Sequence, residues 1–232
     1  MGTTPKIIVL DDDPTGSQTV HSCLLLLQWD VDTLVQGLQD DAPIVFVLTN
    51  TRALSPEQAE RVTREVCQNL QVAIPQAGVE EFLVVSRSDS TLRGHYPIET
   101  DAIAVALGPF DAHFMVPAFF EGGRLTRDSV HYVVQDGTPV PAHETEFAKD
   151  SVFGYSTAYL PDYVAEKTGG RIAADQVERF TLGRLRDGVS EALMGLQNNV
   201  CVAVDAEEQT DLNHFAQEVL AAAAQVLVSL SN

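Results

Sequence analysis

Four short apolar runs, each followed by a polar loop and then a helical pattern, constrain this chain more than any other feature. The runs cover residues 7–10, 44–48, 82–85 and 113–116. Apolar runs of four or five residues bounded by turn signals are short for helices. They also lack the polar alternation of a half-exposed antiparallel sheet, so they predict strands buried on both faces. Segments 31–39, 56–70 and 97–107 carry helical spacing. The second opens on Ser55-Pro56-Glu57-Gln58, with a capping serine, a proline at the first helical position and a glutamine at the third. Strand and helix in alternation predict an α/β fold, an open and mainly parallel sheet flanked by helices in a Rossmann-like three-layer arrangement.

In such a sheet the loops leaving the strands fall on one edge, and ligands bind there. The richest loop is Ser86-Arg87-Ser88-Asp89-Ser90-Thr91-Leu92-Arg93-Gly94-His95. Its two guanidinium forks suit a carboxylate or phosphate. The first strand ends in Asp11-Asp12-Asp13-Pro14-Thr15-Gly16-Ser17. Three adjacent carboxylates repel one another, and a fold keeps them where they coordinate a cation, orient a hydroxyl or take a proton. The second strand ends in Thr49-Asn50-Thr51-Arg52, and the fourth in Pro117-Ala118-Phe119-Phe120-Glu121-Gly122-Gly123-Arg124. Gly122-Gly123 permits close approach to a ligand, and Phe119 and Phe120 can wall a pocket. Each loop has an ordinary alternative: a solvated cap, an acidic helix start, an exposed arginine, a packed aromatic. Their convergence on one edge favours a ligand site.

The formal net charge is −19, with 14 Lys and Arg against 33 Asp and Glu. That balance opposes nucleic acid and anionic membranes except through local basic loops. Cys23, Cys67 and Cys201 are far apart in apolar surroundings and read as core residues. His143-Glu144-Thr145-Glu146 has no second histidine at ligand spacing, so no metal site is assigned. No signal peptide and no apolar run of about 18 residues is present, and a cytoplasmic protein is expected. Beyond residue 129 the pattern predicts a small β-hairpin excursion around 130–141, helices at 161–168 and 182–196, a strand at 200–204, and a closing helix from Asp211 to about Leu230. The whole chain, 1–232, reads as one α/β domain.

Several stretches together resemble the N-terminal domain of the four-carbon acid sugar kinase family, once filed as a domain of unknown function. They are Leu10-Asp11-Asp12-Asp13-Pro14-Thr15-Gly16, Thr49-Asn50-Thr51-Arg52-Ala53-Leu54, residues 86–95, residues 116–123, and Glu144-Thr145-Glu146-Phe147-Ala148-Lys149-Asp150. The run Asp89-Ser90-Thr91-Leu92-Arg93-Gly94 is the most specific. The resemblance implies ATP-dependent phosphorylation of threonate, erythronate or 3-oxo-tetronate. It implies substrate contacts from Asp12, Arg52, Arg87, Ser88, Asp89 and Ser90. In the scheme that follows, Arg52 and Arg87 hold the carboxylate, Asp12 and Asp89 take hydroxyls, Asp12 acts as base, and Arg93 faces the ligand or braces the loop. Many members carry lysine where this chain has Arg87, which bears on substrate identity. ATP and Mg²⁺ are expected to bind mainly through a C-terminal domain, in cis or in trans, because family kinases are about twice this long and no GxxxxGK[ST] loop is present. Homo-oligomerisation is compatible with this reading.

Two other classes remain open at this level. Asp11-x-Asp13-x-Thr15 resembles the nucleophile motif of haloacid-dehalogenase-type phosphatases, which need Mg²⁺ and a downstream acidic pair, here Asp205 with Asp211. A stand-alone sugar-acid binding module is the third class.

Overall fold

The computed structural model describes residues 5–222 and 227–231, with residues 18–19 and 227–231 taken at the level of the backbone. The first apolar run forms β1 (Lys6–Asp11). A short strand, β2 (Leu24–Leu26), and helix α1 (Val31–Gln39) follow. Asp30 caps α1 by accepting from the Thr33 amide at 3.0 Å. Next come β3 (Ile44–Leu48), α2 (Pro56–Ala77), β4 (Phe82–Arg87), α3 (Ile98–Leu107) and β5 (Ala112–Pro117). The capping box expected at Ser55 forms, with the serine hydroxyl on the Gln58 amide and the Gln58 side chain on the Ser55 amide.

The second half holds β6 (Arg124–Arg127), β7 (Val130–Gln135), β8 (Thr138–Pro141), α4 (Leu160–Lys167), β9 (Glu178–Phe180), α5 (Leu182–Asp187), α6 (Ser190–Met194), β10 (Val200–Val204), α7 (Gln209–Ala221) and β11 (Leu227–Ser231). Eight strands form one sheet in the order β2-β3-β1-β4-β11-β5-β10-β9, with parallel pairing throughout. The fold is α/β, with an antiparallel sheet β6-β7-β8 beside it.

Side chains alternate across the parallel sheet. Ile8, Leu10, Val45, Val47 and Val84 pack on Leu34, Leu38, Val66, Leu70 and Ile103 of α1, α2 and α3. Val9, Leu83, Val85, Phe114 and Val202 pack on the opposite side against Leu185, Val189, Leu193, Phe215 and Val219. Both faces are therefore apolar, as continuous hydrophobic runs require.

Two expectations need correction, and the hairpin at 130–141 forms and is extended. The closing helix stops at Ala221, and residues 227–231 form a strand (223–226 lie outside the described residues). β11 fills the slot between β4 and β5, bonding Leu227 beside Val84 and beside His113. Without it, two central strands would face each other with unpaired backbone groups. An apolar run such as 226–230 fits a buried helix and a buried strand equally, so periodicity alone does not decide. The predicted helix 182–196 breaks at Gly188 (φ 102°), where the next amide, Val189, donates to Glu218 at 2.6 Å. The hairpin gains a third strand, β6, whose Thr126 exchanges backbone hydrogen bonds with Ala206.

Candidate functional site

The sheet order puts the site where it is. From β1 the chain steps to β3 on one side and later to β4 on the other. Strand order thus reverses beside β1, and open α/β sheets hold ligands at such a switch point. Asp11 and Arg87 sit opposite each other at the carboxyl ends of β1 and β4. The exits are stitched together by backbone: Thr49 N donates to Asp11 O at 2.9 Å, Arg52 N to Asp12 O at 3.1 Å, and Asp12 N to Arg87 O at 3.3 Å.

The side chains at this junction form one charge network. Arg52 grips Asp12 with both edges of its fork, Nη2 to Oδ1 at 2.5 Å and Nε to Oδ2 at 3.1 Å. Its Nη1 reaches Asp13 at 3.4 Å. Arg87 Nη1 donates to Asp11 at 3.2 Å and lies 3.9 Å from Asp12. The Ser88 hydroxyl sits 3.1 Å from both Asp12 Oδ2 and the Arg93 carbonyl. A Cβ on Gly94 would overlap that hydroxyl, so glycine is needed for the loop to close on Asp12. Burial pushes the Asp12 and Asp11 carboxyls upward, with Arg52 and Arg87 pulling the other way. Burial also acts upward on Asp13, but the Thr15 hydroxyl and amide outweigh it and its carboxyl is lowered. Asp11 Oδ2 and Arg87 Nε are buried with no hydrogen-bond partner. Both forks that the family resemblance reserves for a substrate carboxylate are thus turned onto the acidic turn.

The loop 86–95 is held from behind. Asp89 accepts from the Thr91 amide and hydroxyl, each at 2.9 Å, and pairs with Arg93. Arg93 also donates to the Thr91 hydroxyl at 3.1 Å, so it braces the loop. Leu92 has φ 66°, a costly conformation for a bulky side chain that persists only where its surroundings enforce it. They do so through three successive carbonyls. His131 Nε2 donates to Ser90 O at 2.7 Å, Tyr155 to Thr91 O at 2.8 Å, and Tyr163 to Leu92 O at 2.9 Å. Burial lowers His131 to about 4, which keeps the ring neutral. Tyr155→Phe or Tyr163→Phe leaves one buried carbonyl unpaired. Each is expected to cost about 1–3 kcal/mol in urea denaturation; a loss near zero would mean the hydroxyls do not hold the loop.

The turn carrying Arg52 is fixed in the same way. The Thr51 hydroxyl donates to Glu99 at 2.5 Å, and His95 Nε2 donates to the Thr51 carbonyl at 3.1 Å. Glu99 is buried, and burial, reinforced by the charge of Asp12, pushes its carboxyl up to about 7.

Asp12, Arg52, Arg87 and Ser88 therefore meet in one network, while Asp89, Ser90 and Arg93 sit in the loop that borders it. His131, Tyr155, Tyr163 and Glu99 did not emerge as site residues from the sequence, because they lie outside the four loops and in the core. Asp205 and Asp211, the pair that a phosphatase reading needs, are committed elsewhere. Asp205 accepts from the Ser129 and Leu182 amides, and Asp211 is gripped by Arg186. His143 Nδ1 accepts from the Ala158 amide. Among the described residues no helix is long and apolar enough to cross a membrane.

Comparison with known proteins agrees with this architecture. The chain is 27% identical over 220 residues to a D-erythronate kinase of Heliobacterium modesticaldum, covering 91% of this chain and 47% of that protein. It is 30% identical over 165 residues to a D-threonate kinase of Bordetella bronchiseptica, covering 68% of this chain and 38% of that protein. The chain thus spans less than half the length of either kinase. A crystal structure of a domain of unknown function from Bordetella bronchiseptica, a domain-swapped dimer with bound citrate, is similar at TM-score 0.71 and 25% identity, over 99% of this chain and 55% of that one. The family described as "sugar-binding N-terminal domain" matches residues 7–231, and this chain belongs to it.

Proposed function

We propose that this chain is the sugar-acid-binding half of an ATP-dependent kinase acting on four-carbon acid sugars of the erythronate and threonate type. The observation that carries the proposal is the meeting of Asp12, Arg52, Arg87 and Ser88 at the switch point of a chain whose relatives include two such kinases.

Phosphoryl transfer asks mainly for positioning and charge stabilisation. The acceptor half must hold the acid, orient one hydroxyl and take its proton. Asp12 is suited to the last task, because burial raises its proton affinity. Its Oδ2, held at 3.1 Å by both Arg52 and Ser88, is the more loosely bound oxygen. Arg52 Nη1, at 3.4 Å from Asp13, is the donor most readily transferred to a substrate carboxylate. Arg87, Ser88, Asp89, Ser90 and Arg93 complete the proposed binding set.

ATP and Mg²⁺ are assigned mainly to a second domain. The sequence has no GxxxxGK[ST] loop, and no group of three His, Cys, Asp or Glu among the described residues is placed to hold a metal. The nucleotide belongs to a second domain in this reading, supplied in cis or in trans.

Thermal melting of this chain against D-erythronate and D-threonate, with and without ATP and Mg²⁺, tests the proposal. A ligand at about 100 times its Kd stabilises the fold by roughly 2.7 kcal/mol. A shift with a four-carbon acid that does not require nucleotide is expected. No shift with any such acid, in this chain or in a two-domain protein carrying it, overturns the proposal.

A further inference from the structure

Arg124 opens β6 at the tight turn that leaves β5. Phe119 N donates to Arg124 O at 3.0 Å and Arg124 N to Phe119 O at 2.8 Å, which sets the two side chains next to each other. The guanidinium lies over the Phe119 ring at 5.9 Å and over the Phe147 ring at 5.5 Å. Arg93 lies over the same Phe147 ring at 5.0 Å. Phe147 thus ties Arg124 to the loop 86–95 that borders the switch point.

Arg124 borders this loop without a counter-ion, in a chain of net charge −19. Arg93 pairs with Asp89 and Arg127 with Glu207. Arg52 and Arg87 are taken up by the acidic turn. Among the described residues no ion pair involves Arg124. Its Nη1 donates to the Gly122 carbonyl, and its Nε is buried with no hydrogen-bond partner. A half-buried guanidinium placed over two aromatic rings, with unused donors, is arranged to receive an oxyanion in bidentate fashion. Gly122 makes room for it: a Cβ there would stand 2.5 Å from Arg124 Nη1 and 2.5 Å from the Phe119 ring.

We infer that Arg124, set beside Arg93 on the Phe147 ring, forms a second anion subsite that takes an oxyanion of the bound ligand, a carboxylate or a phosphoryl group. The subsite deepens the sugar-acid reading and rests on it for the ligand's identity, though not for the geometry. It divides the arginines by task. Arg52 and Arg87 work against the acidic turn, while Arg124 brings positive charge that pairs with no carboxylate among the described residues.

Calorimetric titration of this chain and its Arg124→Gln variant tests the inference, with D-erythronate, the uncharged erythritol and inorganic phosphate as probes. Loss of a bidentate charged contact is expected to weaken an anionic probe by about 10- to 100-fold, with erythritol unaffected. Weaker D-erythronate binding identifies the carboxylate as the occupant; weaker phosphate binding alone identifies the phosphoryl group. Unchanged affinity for both anions in a folded variant overturns the subsite. Gly122→Ala, which keeps the charge but displaces the guanidinium, serves if Arg124→Gln fails to fold, and weaker anion binding is again expected. Phosphate binding through Arg124 with no sugar-acid binding, in this chain and in a two-domain protein carrying it, leaves the subsite standing and removes the kinase reading. Binding of neither anion by either wild-type protein removes both.

Discussion

Asp12→Asn, introduced into a full-length kinase carrying this domain, is expected to lower kcat by about 10²- to 10⁴-fold, the range for a positioned general base. Asparagine fills the same volume and its one oxygen still accepts from Ser88 and Arg52 Nε, but its amide nitrogen replaces the acceptor of Arg52 Nη2 and it cannot take a proton. The variant also removes half of a buried ion pair, which can cost about 3–5 kcal/mol of stability. Melting must therefore be measured alongside turnover, and the comparison made well below the transition. The signature that separates a base from a structural anion is the acid limb of the kcat profile. With Asp12 as base, wild-type turnover falls with acid as the carboxylate protonates, at a pH above the ordinary aspartate range because burial raises its proton affinity. In Asp12→Asn that limb disappears together with the rate. A variant that folds and turns over at the wild-type rate would falsify the assignment.

Much of this site was legible because its residues end apolar runs. Asp12 and Arg52 follow, and Arg87 ends, a strand of five or six residues, and a parallel sheet brings such positions to one edge whatever their separation in sequence. The topology placed them closer than that argument alone requires. Reversal of strand order beside β1 makes β3 and β4 its two neighbours, so all three exits touch. The spacing of apolar runs carries no information on strand order, and it gives no hint that Arg52 and Arg87 face the acidic turn.

Other parts were illegible for identifiable reasons. Tyr155 and Tyr163 sit in a stretch that reads as loop and short helix, yet their hydroxyls hold two carbonyls more than sixty residues away. Nothing local marks a tyrosine for that task. Arg124 was named only as the end of a glycine-containing loop, and its significance lies in a missing counter-ion, which only tertiary structure reveals. β11 was hidden by composition, because an alanine- and valine-rich tail suits a helix until the gap between β4 and β5 is seen. Glu99 looked like an ordinary acid in the first turn of α3, where carboxylates favour the helix dipole.

Glu99 nevertheless supports the second large effect. Its folded pKa of about 7 lies above the 4.5 of an ordinary glutamate, so between those values the folded chain holds a proton that the unfolded chain has released. The stability linked to that proton is complete below about pH 4.5 and is lost as pH rises through 7. The difference corresponds to roughly 3 kcal/mol. Glu99→Gln keeps an acceptor for the Thr51 hydroxyl but carries no charge at any pH. Its stability should match the wild type near pH 4.5 and exceed it by up to roughly 3 kcal/mol at pH 8. The measurement is urea denaturation of both proteins at matched pH values, plotted as a difference. His131, lowered to about 4, and Asp205, raised to about 6, titrate in the same range but are common to both proteins and cancel. A flat difference curve, or a gain confined to the acid side, would show that Glu99 is not forced to carry a buried charge behind Arg52. If the curve rises as expected, burial and the charge of Asp12 outweigh the Thr51 hydrogen bond, which by itself favours the ionised carboxylate.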